Sequence, residues 1–416
     1  MGEKVLDGIR VIDWTVVVAG PATSAWLGSF GAEVIKVEQA QTGDPERYAF
    51  GGLYGVPRLI RGQLDCWFEQ YNVNKKSLTV NLKKEKGREI IYRLIKKSDV
   101  FLTNLVSDTV EKLGMDYEML SKINPRLIYA TNTIHGPEGP DRLAPGFDPL
   151  AQARGGILTT NGERGQPPLM APVGISDLTS ALSLAFGIMM ALFHRERTGV
   201  GQWVQTSQLQ TCVNVTASAI MGMYLLHTDE ERKANPYGCV CRAPSREDTL
   251  NPVTTMYRCK DDKWIFLTAF LGHQWPPVAR AIGRPELIND PRFVTLEKRQ
   301  ENRKELSYIL EEVFAQRTYS EWKEKLRAAG DVPFSPVNTV DAVVCDEQVV
   351  ANDYLISFDH PVLGRVQLPG MPCTLTKTPG SIESAAPALG QHTEEILLEI
   401  GYSWEDIDKL RGEEVI

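Results

Sequence analysis

Residues 9–37 read IRVIDWTVVVAGPATSAWLGSFGAEVIKV and predict a strand, a helix and a second strand. Ile9–Asp13 and Glu33–Val37 are short runs rich in β-branched residues, whereas Pro21–Phe30 between them is typical of a helix. The same alternation continues, with strands expected at 77–82, 99–103 and 127–131 and a helix at 86–97. Repeated strand–helix–strand units predict an α/β domain with a mostly parallel, open sheet covered by helices.

Ligands in such sheets bind beyond the carboxyl ends of the strands, where Val18, Asn104 and residues 133–137 are expected. The first strand–helix turn, Thr15–Pro21, lacks the Gly-x-Gly-x-x-Gly fingerprint of dinucleotide-binding domains, and the sequence contains no Walker motif. The sheet is therefore expected to be Rossmann-like without NAD or ATP at the usual place.

The chain has 416 residues, which is too long for one ordinary core and predicts two domains. After the N-terminal α/β region, residues 251–329 suggest a smaller α+β domain, with a strand pair turning at Asp261-Asp262 followed by helices. A net charge of −8 argues against nucleic-acid binding, which requires a basic face.

The cysteines and the N-terminus indicate a reducing compartment. Seven cysteines are scattered along the chain, and Cys239 and Cys241 form a close pair that no second pair matches, so no metal site is expected. The first residues show no secretory signal, which favours the cytoplasm. The longest uncharged apolar run, Leu178–Phe193, is short for a membrane span.

Residues 174–201 place one carboxylate, Asp177, at the start of an almost wholly apolar helix. Ser176 or Asp177 is expected to cap this helix, and the helix dipole favours the ionised form of an acid there. An ionised carboxylate beside a buried helix is a candidate nucleophile, and the competing interpretation is a capping residue. The helical pattern continues, with a break at 198–202, to about Leu226.

Several blocks of the sequence, in order along nearly the whole chain, carry a family resemblance. They are Leu6–Asp13, Ala19-Gly20-Pro21, Gly31–Glu38, Gly43–Arg47, Asn74–Lys83, Leu113-Gly114, Asn124–Ala130 and Asp177–Gln202. On these blocks the chain resembles the family III CoA-transferases, a group that includes formyl-CoA transferase, carnitine CoA-transferase and 2-methylacyl-CoA racemase.

The resemblance implies that Asp177 is the covalent nucleophile of a CoA-transferase. Its carboxylate would attack an acyl-CoA thioester to give a mixed anhydride, and CoA thiolate would convert that anhydride into an aspartyl-CoA thioester. An acceptor carboxylic acid would then reverse the sequence. Coenzyme A and acyl-CoA are substrates on this interpretation, and no tightly bound cofactor is expected.

The resemblance also implies a set of residues that hold CoA. They are Val18, Lys36, Glu38, Gln39, Asn74, Lys75, Lys76, Asn104, Leu105, Lys112, Leu113, Phe147 and Asp148. The lysines are expected to supply local positive charge for the CoA phosphates, because the protein as a whole is acidic. For each lysine the alternative is a solvated surface charge, and for Asp148 it is a turn residue.

Two departures from the family pattern bear on the substrate. Phe147 stands where the racemases have a histidine, so a two-base proton shuttle loses one partner. Val18 and Phe147 also replace a glutamine and a tyrosine of formyl-CoA transferase, which suggests a more hydrophobic acyl pocket. Asn251-Pro252 and Phe270–Trp275 resemble transferases that act on aromatic or branched 2-hydroxy acids. A 2-methylacyl-CoA racemase or epimerase and a non-catalytic acyl-CoA binder are the alternatives.

The family forms homodimers of interlocked, ring-like subunits, and the resemblance implies the same here. The expected large domain comprises 1–205 and 346–416, the linkers are a helix at 206–225 and the segment 331–345, and the small α+β domain is 226–330.

Overall fold

The structure is a computed structural model that describes residues 4–48, 59–60, 64–163, 166–171, 174–226, 228–234, 249 and 251–416. The chain divides into two compact units. Unit 1 comprises Met1–Leu158, Leu169–Val240 and Asp353–Ile416, and unit 2 comprises Thr159–Pro168 and Cys241–Asn352. The domain and linker boundaries expected from the sequence stay predictions.

Unit 1 is built on one six-stranded sheet. The first eight strands along the chain are β1 (Arg10–Trp14), β2 (Glu33–Glu38), β3 (Leu59–Ile60), β4 (Leu64–Asp65), β5 (Lys75–Thr79), β6 (Val100–Thr103), β7 (Ile128–Thr133) and β8 (Trp203–Ser207). The sheet order is β5-β2-β1-β6-β7-β8 with every neighbouring pair parallel, and β3 and β4 form a separate antiparallel pair. The predicted α/β class with an open parallel sheet is confirmed.

Helices cover both faces of this sheet. The helices up to residue 234 are α1 (Ala19–Ser29), α2 (Cys66–Tyr71), α3 (Glu85–Ile95), α4 (Ser107–Lys112), α5 (Tyr117–Ile123), α6 (Asp148–Arg154), α7 (Ile157–Thr160), α8 (Ile175–Thr198), α9 (Gln208–Val215), α10 (Ala217–Leu226) and α11 (Asp229–Ala234). Val11 of β1 packs in a cluster with Leu184 and Ile188 of α8, while its neighbour Ile12 packs in another cluster with Ile90 of α3. Successive residues of a strand point to opposite faces, so one strand supplies both cores.

The sheet order reverses at β1, which has β2 on one side and β6 on the other. Such a switch point opens a crevice at the carboxyl edge of the sheet. Asn104, which follows β6, bridges the two loops there: its Nδ2 donates to the Val16 carbonyl at 2.8 Å, and its Oδ1 accepts from the Val16 N–H at 2.9 Å. Next to it, Val17 adopts a φ of +66°, a strained conformation for a β-branched residue.

The expectation that a broken helical stretch runs from Asp177 to about residue 226 is wrong at β8. Trp203–Ser207 is the edge strand of the sheet, and it pairs with β7 from Tyr129↔Trp203 to Thr133↔Ser207. Gly201 makes this approach possible, because a Cβ there would lie 2.1 Å from the Leu127 carbonyl oxygen. The expected break at 198–202 therefore marks the entry to a strand, and helix resumes only at α9.

The remaining elements belong to unit 2 and to the C-terminal part of unit 1. They are β9 (Met256–Arg258), β10 (Trp264–Leu267), α12 (Trp275–Ala281), α13 (Leu296–Glu301), α14 (Arg303–Phe314), α15 (Tyr319–Ala328), β11 (Phe334–Val337), α16 (Val340–Val343), α17 (Glu347–Ala351), β12 (Leu355–His360), β13 (Gly364–Pro369), α18 (Thr393–Glu399) and α19 (Trp404–Gly412). The expected strand pair in unit 2 is confirmed as β9 and β10, which are antiparallel, with Asp262 at a φ of +62° in the turn. Unit 2 has its own apolar core around Trp275, Phe314 and Trp322.

Candidate active site

Asp177 is the third residue of α8 and is 7% exposed. The residue before the helix is Gly174, whose φ of +62° is left-handed and whose lack of a side chain leaves the helix start without a local cap. A Cβ placed on Gly174 would lie 3.7 Å from Asp177 Oδ2. The glycine therefore makes the left-handed turn from which the helix begins.

The cap of α8 comes from Asp148, the first residue of α6, which is 1% exposed. Its Oδ2 accepts hydrogen bonds from the Ser176 N–H at 2.8 Å, the Asp177 N–H at 3.0 Å and the Ser176 hydroxyl at 2.5 Å. The expectation that Ser176 or Asp177 caps the helix is therefore wrong. Asp148 satisfies these backbone donors from 28 residues away in sequence, and the Asp177 carboxylate is left for other uses.

Burial and the nearby Asp148 carboxylate raise the pKa of Asp177 well above its ordinary value, and a hydrogen bond from Gln208 opposes them. The sequence suggested that the helix dipole would favour the ionised form. In the structure, the loss of water and a second carboxylate outweigh the dipole. A carboxylate with a raised pKa is a stronger nucleophile when it ionises, because its negative charge is poorly solvated.

Two glutamines that the sequence analysis missed complete the cluster. Gln208, the first residue of α9, donates from Nε2 to Asp177 Oδ1. Gln152 donates from Nε2 to Asp148 Oδ1 and to the Ala171 carbonyl at 3.2 Å, and its Oε1 accepts from the Ala171 N–H at 3.1 Å. In the sequence each of them is an ordinary glutamine, and such a residue does not point to a site by itself.

The last residue of α2, Tyr71, also faces this charge. Burial, then the negative charges of Asp177 and Cys66, raise the pKa of Tyr71 to about 12. The phenol is therefore a neutral hydroxyl at physiological pH. Tyr71 was not singled out from the sequence, where it is one aromatic residue in a mixed segment.

Lys36 and Lys75, two of the expected CoA ligands, lie inside the protein and are paired there. Lys36 Nζ is 2.8 Å from Asp44 Oδ2, and Lys75 Nζ is 2.9 Å from Asp13 Oδ2, with all four side chains fully buried. Burial lowers the pKa of Lys75 to about 8, whereas Lys75 and Lys36 lower the pKa of Asp13 although burial alone would raise it. This network ties β1, β2 and β5 together, and it does not fit the expectation that these ammonium groups meet CoA phosphates.

Three further expected ligands also bond within the protein. The Glu38 carboxylate accepts two hydrogen bonds of 2.8 Å from the Arg47 guanidinium. Asn74 has a φ of +58° and binds the C-terminal segment, with its Oδ1 accepting from the N–H groups of Glu383 and Ser384 at 2.7 and 3.0 Å. Lys76 pairs with Glu33 and Glu395. Asn74 and Lys76 lie where β5 begins, at the opposite edge of the sheet from the switch point.

The other expected ligands follow the carboxyl ends of the strands. They are Val18, Gln39, Asn104, Leu105, Lys112, Leu113, Phe147 and Asp148. Phe147 is 56% exposed and directly precedes Asp148, and the structure brings Asp148 to Asp177, from whose N–H it accepts a hydrogen bond. Lys112 is exposed and pairs with Asp108 on the same helix at 2.6 Å, which leaves it accessible to a ligand. Among the described residues no cluster of three or more metal-ligating side chains occurs, and Cys239 and Cys241 lie outside those residues.

The sequence model of CoA-transferase family III matches residues 6–393. The chain belongs to this family. It is 31% identical to (R)-2-hydroxy-4-methylpentanoate CoA-transferase from Clostridioides difficile, over 99% of each chain, and 31% identical to formyl-CoA:oxalate CoA-transferase from Streptomyces coelicolor, over 100% of each. A solved CAIB/BAIF family protein from Brucella suis superposes with a TM-score of 0.81 at 28% identity, covering 96% of this chain and 100% of its own. The protein is therefore an enzyme of the CoA-transferase class whose substrates are CoA thioesters.

The Lys75 network gives a stability prediction. Replacing Lys75 with methionine leaves Asp13 buried without its main partner, and we expect the free energy of unfolding to fall by about 3–5 kcal/mol. Chemical denaturation checks this, with Lys112→Met as the control, because loss of an exposed pair changes stability by less than about 1 kcal/mol. Adding Asp13→Asn should recover part of the loss. A Lys75→Met protein as stable as the parent would contradict the structural role.

The raised pKa of Asp177 predicts that its charge destabilises the fold. An acid whose pKa is higher in the folded state binds its proton more tightly there, so its penalty grows as pH rises through that pKa. Asp177→Asn removes the charge and keeps an oxygen for Gln208. We expect its Tm to exceed that of the parent at pH 8, by about 2–4 °C for each kcal/mol gained, and the gap to narrow toward pH 5. A variant that is less stable at pH 8 would refute this.

Proposed function

We propose that Asp177 carries the acyl group and then CoA during transfer from an acyl-CoA donor to a carboxylic acid acceptor. The observation that carries this proposal is that two carboxylates at the start of α8 have different roles. Asp148 serves the backbone donors, so Asp177 is a buried carboxylate of raised pKa with one oxygen held by Gln208. Membership of the CoA-transferase family supports the same role.

The proposed reaction has four steps. Asp177 attacks the donor thioester carbon, the C–S bond breaks, and CoA thiolate and a mixed anhydride result. The thiolate then attacks the aspartyl carbon and releases the donor acid, leaving an aspartyl-CoA thioester. The acceptor carboxylate attacks this thioester to give a second anhydride, and the released thiolate attacks the acceptor carbonyl to free Asp177. Each step exchanges one activated acyl bond for another, so no step consumes ATP.

The proposed substrates are hydrophobic or 2-hydroxy acids. Phe147 presents an exposed ring beside Asp148, and Val18 is a buried apolar residue at the switch point of the sheet, so neither side chain offers a hydrogen-bonding atom to an acyl group. A relative that acts on (R)-2-hydroxy-4-methylpentanoate, a branched 2-hydroxy acid, agrees with this choice. We propose that CoA lies along the carboxyl edge, near Asn104, Leu105 and Lys112.

Covalent trapping tests this function. The protein is mixed with 2-hydroxy-4-methylpentanoyl-CoA, succinyl-CoA or formyl-CoA, quenched with hydroxylamine, and mapped by peptide mass. We expect a CoA adduct or a hydroxamate on Asp177 and a fall in transfer rate of about 10³-fold or more in Asp177→Asn, because the amide is a poor nucleophile. Asp408→Asn, on the exposed face of helix α19, is the matched control. An adduct on another residue, or full activity in Asp177→Asn, would overturn the proposal.

We further propose that the enzyme is a homodimer of interlocked subunits. The outer face of α8 exposes Phe186 and Phe193, each 66% accessible, together with Met190, and the helix carries no charge between Asp177 and Arg195. Helix α10 also exposes apolar side chains, with Leu225 at 75% exposure. Apolar faces of this extent mark interaction sites. A second copy of the chain is the occupant implied by the family resemblance.

Alone among the described helices, α8 is long and apolar enough to cross a membrane, and half of its most apolar window is buried within unit 1. Burial against the sheet accounts for one face of the helix. In the proposed dimer a second subunit covers the other, exposed apolar face, so no bilayer is needed to explain that face. We propose a cytoplasmic location, which agrees with the thiol state of Cys212, Cys259, Cys345 and Cys373.

Sedimentation velocity tests the dimer. We expect the parent to sediment as a dimer, and Phe186→Asp with Phe193→Asp to shift it toward monomer, because buried unpaired carboxylates disrupt an apolar interface. Val340→Asp, at an exposed position of unit 2, is the control and should stay dimeric. A monomeric parent, or a double variant as dimeric as the parent, would contradict this arrangement.

A further inference from the structure

The side chain of Gln208 is fixed with its amide N–H toward Asp177. Gln208 is 4% exposed and begins α9, which is capped by the Ser207 hydroxyl accepting from the Gln210 N–H at 3.0 Å. Its Nε2 donates to Asp177 Oδ1, and its Oε1 lies 3.3 Å from the Ser176 hydroxyl. The single Ser176 hydroxyl proton is donated to Asp148 Oδ2, so the Asp177 carboxylate, which only accepts when ionised, sets the orientation of the amide.

Packing of α8 against α9 sets the position of this amide. Two residues after Asp177 and three after Gln208, the hydroxyls of Thr179 and Thr211 lie 3.4 Å apart. Thr179 also bonds the Ile175 carbonyl at 2.7 Å, and Thr211 bonds the Gln208 carbonyl at 2.9 Å. The donor is therefore held by two rigid elements, which is the preorganisation that charge stabilisation in a transition state requires.

The start of α8 cannot supply this stabilisation. The N–H groups of Ser176 and Asp177, which would otherwise point at an anion, both donate to Asp148 Oδ2. Among the described residues, the hydrogen bond that reaches the Asp177 carboxylate comes from Gln208, and it goes to Oδ1. No described residue donates a hydrogen bond to Oδ2, which lies near Gly174. The two oxygens are thus distinguished, one held and one free to attack.

We infer that Gln208 is a catalytic residue whose amide N–H stabilises the oxyanion formed on Asp177 Oδ1 whenever the aspartyl carbon itself is attacked. The inference rests on the function proposed above and adds a group to it. When CoA thiolate adds to the aspartyl carbon of the anhydride, the C=O electron pair moves onto Oδ1. The intermediate then breaks the bond from the carbon to Oδ2, and Oδ2 leaves with the donor acid.

The same oxyanion forms when the acceptor carboxylate attacks the aspartyl-CoA thioester. There a new C–O bond forms, the C–S bond breaks, and the electron pair leaves on the CoA sulfur. In the first and last steps of the cycle, in contrast, negative charge develops on the carbonyl oxygen of the substrate acyl group. Gln208 therefore acts on the formation and the decay of aspartyl-CoA, and other donors serve the substrate carbonyl.

Quenched-flow measurement of the CoA adduct on Asp177 tests this. The probe is 2-hydroxy-4-methylpentanoyl-CoA, followed by a chase with 2-hydroxy-4-methylpentanoate. Gln208→Met keeps the length of the side chain without a donor, and Gln208→Asn keeps the amide on a shorter stem. We expect both variants to form and discharge the adduct about 10²–10³-fold more slowly than the parent, the usual loss for one oxyanion donor.

Gln210→Met makes the same chemical change at an exposed position of α9, and circular dichroism checks that each variant is folded. We expect Gln210→Met to keep the parental rates. Adduct that forms and decays in Gln208→Met and Gln208→Asn at the parental rates would overturn the role of Gln208 and leave Asp177 as the acyl carrier. A parent protein that forms no adduct on Asp177 would instead overturn the proposed function, and this inference with it.

Discussion

The hydrogen bonds from the start of α8 to the carboxylate of Asp148 are the contact on which the rest of the site depends. A helix that begins at a left-handed glycine has no side chain of its own to satisfy its first N–H groups. Asp148 meets that need from α6, and it does so beside a second acid. This arrangement holds Asp177 in place and also raises the free energy of its ionised form.

The arrangement that makes Asp177 reactive therefore also lowers the stability of the fold. Two carboxylates share a buried environment, and the compensating groups are neutral amides, Gln152 on Asp148 and Gln208 on Asp177. Neutral donors stabilise a carboxylate without cancelling its charge, so the nucleophile keeps its reactivity. Two buried lysines of unit 1 are used elsewhere, in the pairs Lys36–Asp44 and Lys75–Asp13 that join β1, β2 and β5.

Much of this could be predicted from the sequence, because the signals are local. Alternating strand and helix patterns led to the parallel sheet. The carboxylate at the head of an apolar helix made Asp177 a candidate, which the family resemblance favoured over a capping residue. Trp203–Ser207 was missed because a five-residue strand between two helices looks like a break in one long helix. Asp148 and Gln208 contact the start of α8 across 28 to 31 residues of sequence, and no local pattern reports such a contact. The burial of Lys36 and Lys75 was equally hidden, since a lysine in a strand is more often exposed.

Oxygen exchange tests most directly whether Asp177 bonds covalently to the substrates. The enzyme is turned over with an acyl-CoA donor and an acceptor acid whose carboxylate carries two ¹⁸O atoms, and the peptide containing Asp177 is then weighed. An acceptor carboxylate that attacks aspartyl-CoA leaves one of its oxygens on the enzyme, so we expect the Asp177 side chain to gain about 2 Da. Product acyl-CoA that forms at the normal rate while the mass of Asp177 stays unchanged would contradict the account.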